Sequence, residues 1–229
     1  MNKLKLLRKK LKRYFQEIRR IPASERNFCK RRHLLTIFPE WYRSHQPGLS
    51  PLIEHRPWIT YEARIFLERL LKPGMTVLEY GCGGSSLFFM QRVARLISVE
   101  HDPAWHRQVL QEIEKCGLGN GRVELAPLET KDVAHPYADV NCEKYISFID
   151  QFPDSSFDLI LIDGEARVAC FHRACAKLKM NGWMVLDNSE REEYAAIHRC
   201  LKEMNWKKVS FFGPVPYNSE FGETTFWQK

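Results

Sequence analysis

Apolar positions along the chain recur with two periods, and the two alternate. Over residues 59–74, ITYEARIFLERLLKPG, the residues Ala63, Phe66, Leu67 and Leu70 fall on one helical face, and Pro73-Gly74 stops the helix. Short strand-like runs follow: TVLEY at 76–80, RLISVE at 95–100, RVELA at 122–126, FDLILID at 157–163, GWMVLD at 182–187, KKVSFF at 207–212 and TTFW at 224–227. Helical stretches separate most of them, including SSLFFMQRVARL at 85–96 and REEYAAIHRCLKEMN at 191–205. The helix after RLISVE starts at Asp102-Pro103, an N-cap followed by proline at the first helical position, and ends near Gly117. This order predicts an α/β fold with parallel strands and helical crossovers. The last two runs have no helix between them, and their link, GPVPYNSEFGE, is rich in turn residues, so they are expected to form an antiparallel pair at one edge. Residues 130–144 read as an irregular insertion.

A chain of 229 residues that is 44% hydrophobic suffices for one sizeable core. The expected organisation is a helical N-terminal extension over residues 1–57 and a main domain over 58–229. The charge changes this picture only at one end. Residues 1–20 hold nine Lys and Arg against the single acid Glu17, a net +8, while the remainder carries 26 basic and 27 acidic residues. A nearly neutral body argues against nucleic-acid binding, which needs a basic face on the folded domain. In the tail, Leu4, Leu7, Leu11, Phe15 and Ile18 recur at helical spacing, so it reads as a basic amphipathic helix. Its leucines either dock on the body or on a second copy in a homodimer, or they meet an anionic membrane surface as a peripheral contact. No apolar run reaches the length of a membrane span, and the charged start lacks the apolar segment of a secretory signal. The seven cysteines form no CxxC pair, which argues against a disulfide framework and against a zinc site, and a reducing cytoplasm is the default location.

Candidate chemistry begins at VLEYGCGGSS, residues 77–86. Val77, Leu78 and Tyr80 suit a buried strand, whereas Gly81, Gly83 and Gly84 would ruin one, so the chain turns there and lets backbone approach a ligand. Glu79 is an acid on a buried strand, costly without a partner. Glu100 ends the next strand, where a carboxylate can accept hydrogen bonds from both hydroxyls of a ribose. A dinucleotide fold uses similar devices, but Ser86 stands where its third glycine belongs. An acid two residues before the first glycine also suits a cationic ligand better than a pyrophosphate.

On these residues the chain, from about residue 58 to its end, resembles a class I S-adenosylmethionine-dependent methyltransferase. The resemblance implies a Rossmann-like fold with a seven-stranded, mostly parallel sheet and a C-terminal antiparallel hairpin. It also implies a cofactor site at Glu79, Gly81, Gly83, Gly84, Ser86 and Glu100, with His101 against the adenine and Asp163 at the far side of the crevice. Read as residues alone, His101 is equally an exposed turn histidine.

The acceptor side rests on two further strand ends, Asp163 and Asp187-Asn188, which belong to neighbouring strands in such a fold and face the same crevice. Two carboxylates and an amide oxygen suit a hard cation such as magnesium. Equally, Asp187 and Asn188 can make the turn and cap the following helix. The pattern is similar to metal-dependent O-methyltransferases of the catechol type, in which such residues bind magnesium and a lysine three residues after the first Asp is the base. Here that position is Ala166; Arg167 follows, and a guanidinium stays protonated too firmly to be a base. Asp163, Asp187, Glu165 and His172 remain as candidates for the proton acceptor, with Asp163 and Asp187 as the catalytic pair. Arg167 is expected on a helix surface, with pairing to an acidic acceptor as the alternative. Trp41, Tyr42, Trp58, Tyr61 and Tyr217 could line an acceptor pocket or simply pack. The expected function is methyl transfer to a hydroxyl of a small molecule, sugar or lipid-linked acceptor, as in bacterial methyltransferases of this type. An aminopropyltransferase-like enzyme or a non-catalytic cofactor-binding scaffold of the same fold stands as the alternative.

Overall fold

The structure is a computed structural model that describes residues 3–21, 28–130 and 140–229. Two helices, α1 (Lys3–Arg20) and α2 (Phe28–Ser44), precede α3 (Tyr61–Leu70), whose N-cap Thr60 takes the Ala63 N–H on its hydroxyl. Then come β1 (Thr76–Tyr80), α4 (Gly84–Met90), β2 (Arg95–Glu100), α5 (Pro103–Lys115) and β3 (Gly121–Leu125). A small antiparallel pair, β4 (Glu129–Thr130) and β5 (Val140–Asn141), leads into the single turn α6 (Glu143–Ile146). The chain closes with β6 (Phe157–Ile162), α7 (Arg167–Lys177), β7 (Leu178–Asp187), α8 (Ala195–Glu203), β8 (Lys207–Pro214) and β9 (Phe221–Gln228). Residues 131–139, most of the expected insertion, lie outside the described residues. Its flanks are ordered into β4, β5 and α6 rather than irregular.

The seven main strands form one sheet in the order β3-β2-β1-β6-β7-β9-β8. The first five are parallel, and β9 runs antiparallel between β7 and the edge strand β8, the expected terminal hairpin. Strand order reverses between β1 and β6, so the C-terminal ends of these strands open onto a crevice. Alternation along β1 separates the two layers: Leu78 and Tyr80 pack with Ile160, Ile162 and Phe171 on one face, Val77 with Leu87, Leu159 and Phe226 on the other. Each such side chain removed from water stabilises the fold by about 1.5–3 kcal/mol, before conformational entropy is set against it.

The helix expected over 85–96 is shorter, because the chain leaves it after Met90 and enters β2 at Arg95. At the N-terminus, α1 docks on α2 and the terminal hairpin through Tyr14, Ile18 and Ile21, a face that shares Ile18 with the expected stripe and is turned away from Phe15. Tyr14 and Ile21 are buried, Tyr14 sits edge-on to Phe221 with ring centroids 5.1 Å apart, and Phe15 is left 47% exposed. Glu17 is buried on this face because Arg13 and Arg20 lie 3.2 and 2.9 Å from its carboxylate and the Phe221 N–H donates to it. Trp41 is fully buried in the same cluster, its indole N–H donating to the Asn218 carbonyl at 3.0 Å. The helix thus turns Lys5, Arg8, Lys9 and Lys12 to solvent.

Candidate active site

A cavity of about 540 Å³ opens at the C-terminal ends of β1, β2, β6 and β7. The turn after β1 forms its floor. Gly81 has φ +88°, a left-handed conformation, and a Cβ there would stand 3.0 Å from the Gly164 backbone. Gly83 is different: its φ of 172° is ordinary extended backbone, and a Cβ would meet nothing nearer than a Trp105 ring carbon at 3.8 Å. The space beside Gly83 therefore belongs to the cavity, whereas Gly84 is held by packing, since its Cβ would stand 2.0 Å from the Pro51 carbonyl oxygen.

Glu79 and Ser86 do not line the cavity; they lie behind its wall and hold the turn. Ser86 donates to Glu79 Oε2 at 2.6 Å and accepts the Gly83 N–H at 3.0 Å, and Ser98 donates to the same Glu79 oxygen at 3.0 Å. Burial pushes the Glu79 carboxyl up to about 7 against the lowering effect of the Ser85, Ser86 and Ser98 hydroxyls. The folded state thus holds this proton more tightly than the unfolded chain. The stability contribution is fully present below its ordinary value of 4.5 and is lost as pH rises toward about 7. Glu79→Gln, which cannot ionise, should gain stability relative to wild type across that window by at most about 3 kcal/mol and run parallel above it. Denaturant titrations at about pH 5 and about pH 8 measure this, and a pH-independent difference would contradict it.

Glu100 ends β2 at the cavity, nearly buried. Its Oε1 accepts the His101 and Asp102 N–H groups at 2.8 Å each, and Oε2 accepts the Cys82 N–H at 3.0 Å. Burial would raise this carboxyl, but the His101 ring and the backbone donors of Asp102 and Cys82 outweigh it and hold it below its usual range. The acid is thus ionised and fixed, with the Cys82 thiol also bonded to the carboxylate. His101 lines the cavity, its Nδ1 3.0 Å from Glu100 Oε1, and the Glu100 carboxylate raises its proton affinity.

The structure brings Asp163, Asp187 and Asn188 to the opposite wall of the cavity, with Arg167 among them. Ala166, in a left-handed conformation at φ +49°, precedes α7, and the Arg167 side chain is only 11% exposed. Its guanidinium lies 3.1 Å from Asp163 Oδ1 and donates to the Gly164 and Asp187 carbonyls at 2.8 and 2.6 Å and to Asn188 Oδ1 at 3.4 Å. The expectation of a surface arginine is therefore corrected: it is a buried cross-brace at the site.

That brace decides the fit of the magnesium site expected at Asp163, Asp187 and Asn188. A guanidinium bridges two of the three intended ligands, Asp163 Oδ1 and Asn188 Oδ1, so these residues as arranged do not fit a divalent cation. Nor does Asp187 cap the following helix. It accepts the Thr224 hydroxyl at 2.6 Å, and Asn188 makes the turn with φ +52°. Burial raises the Asp187 carboxyl well above its ordinary range, with the neighbouring Asp163 charge adding to the effect. Burial also raises Asp163, while Arg167 pulls it down. The arrangement is a carboxylate pair with Asp163 ion-paired to Arg167 and Asp187 holding a proton more tightly than an ordinary aspartate.

Of the aromatic candidates, Trp58 lines the cavity; Trp41 and Tyr61 pack in the N-terminal cluster, and Tyr217 bonds Glu54. Glu165 reaches the rim, but His172 points away on the exposed side of α7. Trp105 was not singled out by sequence. It stands in the first turn of α5, placed by the Asp102 cap, and donates its indole N–H to the Cys82 carbonyl at 2.7 Å. An aromatic three residues after that cap was the available signal.

No protein-family model and no curated protein matches the chain. Solved structures do match in fold. An rRNA methylase from Streptococcus thermophilus is 10% identical with a TM-score of 0.55, over 76% of this chain and 99% of that one. An S-adenosylmethionine-dependent O-methyltransferase from Thermotoga maritima is 16% identical at 0.52, over 79% and 71%. A protein of Streptococcus mutans described as a candidate methyltransferase, solved with S-adenosylhomocysteine, is 10% identical at 0.53, over 73% and 96%. The fold is the Rossmann-like fold of the class I methyltransferases, with its C-terminal antiparallel strands.

Proposed function

We propose that the protein binds S-adenosylmethionine in this cavity and transfers its methyl group to a hydroxyl of a small molecule, sugar or lipid-linked acceptor without a metal ion. The observation that carries the reading is a single cavity with an ionised, backbone-anchored Glu100 at one end and the Asp163–Asp187 pair at the other. The residues fit the cofactor. The ionised Glu100 carboxylate lines the cavity as an acceptor for a ribose hydroxyl, Gly83 leaves room for close approach, and His101 is placed for the adenine. When bound, the cofactor would supply a methyl group activated by its sulfonium, for the acceptor oxygen to take. Asp187 takes the acceptor hydroxyl proton, and Arg167 keeps Asp163 ionised and the wall rigid. Trp58 and Trp105 exclude water and orient the two substrates. An aminopropyl transfer would need further carboxylates for its amine, and a scaffold would bind without turnover. Incubating acceptor panels with methyl-labelled cofactor separates the three: label on the acceptor excludes a scaffold, and the mass gained distinguishes methyl from aminopropyl.

We also propose that α1 places the enzyme on an anionic membrane surface. Its apolar side is consumed by docking, so the support is electrostatic: Lys5, Arg8, Lys9 and Lys12 face solvent together, beside the exposed Phe15. No helix of the described residues is long and apolar enough to cross a membrane. Each outward cation near an anionic surface is worth about 1 kcal/mol, so replacing these four by glutamine should abolish salt-sensitive pelleting with phosphatidylserine vesicles. Equal pelleting of both proteins would contradict the contact, and a change in sizing-column mass instead would assign the face to a second copy.

A further inference from the structure

We propose that His55, Glu112 and Cys116 form a binding site for a zinc-type divalent cation that clamps the turn at residues 51–56 to α5. Glu112 lies in the last turn of α5 and Cys116 caps the helix end four residues on, its N–H bonded to the Glu112 carbonyl, and His55 is brought to them from the turn before α3. The three potential ligand atoms all lie within 4.8 Å of one another. His55 Nε2 is 3.2 Å from Glu112 Oε1 and 3.7 Å from Cys116 Sγ. Zinc bonds of about 2.0–2.3 Å at tetrahedral angles put neighbouring N and O ligands roughly 3.3 Å apart and N and S ligands roughly 3.6 Å apart. The two edges at His55 are therefore close to those of a tetrahedral site, the Glu112–Cys116 edge lies within 4.8 Å, and Cys116 is at the surface, where the fourth corner meets solvent.

The chemistry of the set is consistent with this. A thiolate, an imidazole and a carboxylate together offer two negative charges to a dication, and the soft thiolate selects zinc over magnesium. Lys115 lies 3.0 Å from Glu112 Oε2, which orients the carboxylate and leaves Oε1 facing His55. His55 adopts φ +49°, a conformation uncommon for a residue other than glycine, and this brings its ring to α5. Cysteine spacing alone argued against zinc, because that test looks for paired cysteines and this set mixes three ligand types from two segments.

The clamp has a consequence for the cavity. Pro51, whose carbonyl abuts Gly84, and Trp105, near the start of α5, both line it, so the cation would tie two of its walls together. Reduced, metal-free full-length protein titrated with cobalt(II) tests the site directly. Wild type should show a thiolate-to-cobalt absorption band saturating with a single ion, displaced by zinc but not by magnesium. Cys116→Ala should lose the band, and His55→Asn, which tolerates the backbone conformation, should weaken zinc binding by more than about ten-fold. Thermal melts of the metal-free variants check that both remain folded. A wild-type protein without the band, a band retained in Cys116→Ala, or unchanged zinc affinity in folded His55→Asn would overturn the site.

Discussion

Asp187→Asn is expected to lower methyl transfer by about 10²–10⁴-fold, the usual worth of a positioned general base, while cofactor affinity stays within about two-fold. The effect should fall on the acceptor step, because Glu100 ends β2 and Asp187 ends β7, with β1 and β6 between them in the sheet. The fold should tolerate the change, since asparagine can still accept the Thr224 hydroxyl and no longer carries a buried charge. Adding magnesium to chelator-treated protein should have no effect on either one, because Arg167 fills the place between Asp163 and Asn188. The wild-type rate should also rise with pH on its acid limb, over a range well above that of an ordinary aspartate, since burial and Asp163 raise Asp187 and only its ionised form can accept a proton. Turnover of an accepted substrate, measured with and without chelator across pH, decides this. Activity that collapses in chelator and returns with magnesium would restore the metal and require Arg167 to move aside.

Gly83→Val should abolish detectable cofactor binding without unfolding the protein. The backbone at Gly83 is extended, so a β-branched residue meets no conformational penalty, and the nearest atom to a new Cβ is 3.8 Å away. What the side chain would occupy is the cavity itself. A loss of at least ten-fold in affinity, about 1.4 kcal/mol or more, is the expected floor. Gly119→Val is the control, because a Cβ there meets nothing within 4 Å and the position is remote from the cavity. Melting temperatures within a few degrees for both variants, with binding lost only in Gly83→Val, would mark Gly83 as the point of close approach. Retained binding would place the ligand elsewhere.

The strands were legible because their signal is local. Seven runs of β-branched and aromatic residues reappear as the seven strands of the main sheet, with ends shifted by a few residues at most, as in β7, which begins at Leu178 rather than Gly182. The acids of the site were legible as strand ends, since topology alone carries Glu100, Asp163 and Asp187 to one side of the sheet. What they do there was not. Glu79 looked like a ligand contact and is a buried brace for the turn, because sequence shows an acid before a glycine but not the Ser86 and Ser98 hydroxyls that turn it inward. Arg167 looked like a surface residue because helix periodicity cannot register the left-handed Ala166 that precedes the helix. The stripe on α1 was legible in part: Ile18 docks as expected, while the rest of the buried face was hidden for a related reason. Glu17 became buriable once Arg13, Arg20 and the Phe221 N–H satisfied it, partners 3 to 204 residues away in sequence.

The proposed S-adenosylmethionine site spans this cavity from Glu100 to the carboxylate pair. Isothermal titration of the wild-type protein with S-adenosylmethionine and with S-adenosylhomocysteine tests it most directly. Saturable heat is expected for both ligands with one site per chain, lost in Gly83→Val and retained in Asp187→Asn. Absence of binding by folded wild-type protein to either ligand would contradict it.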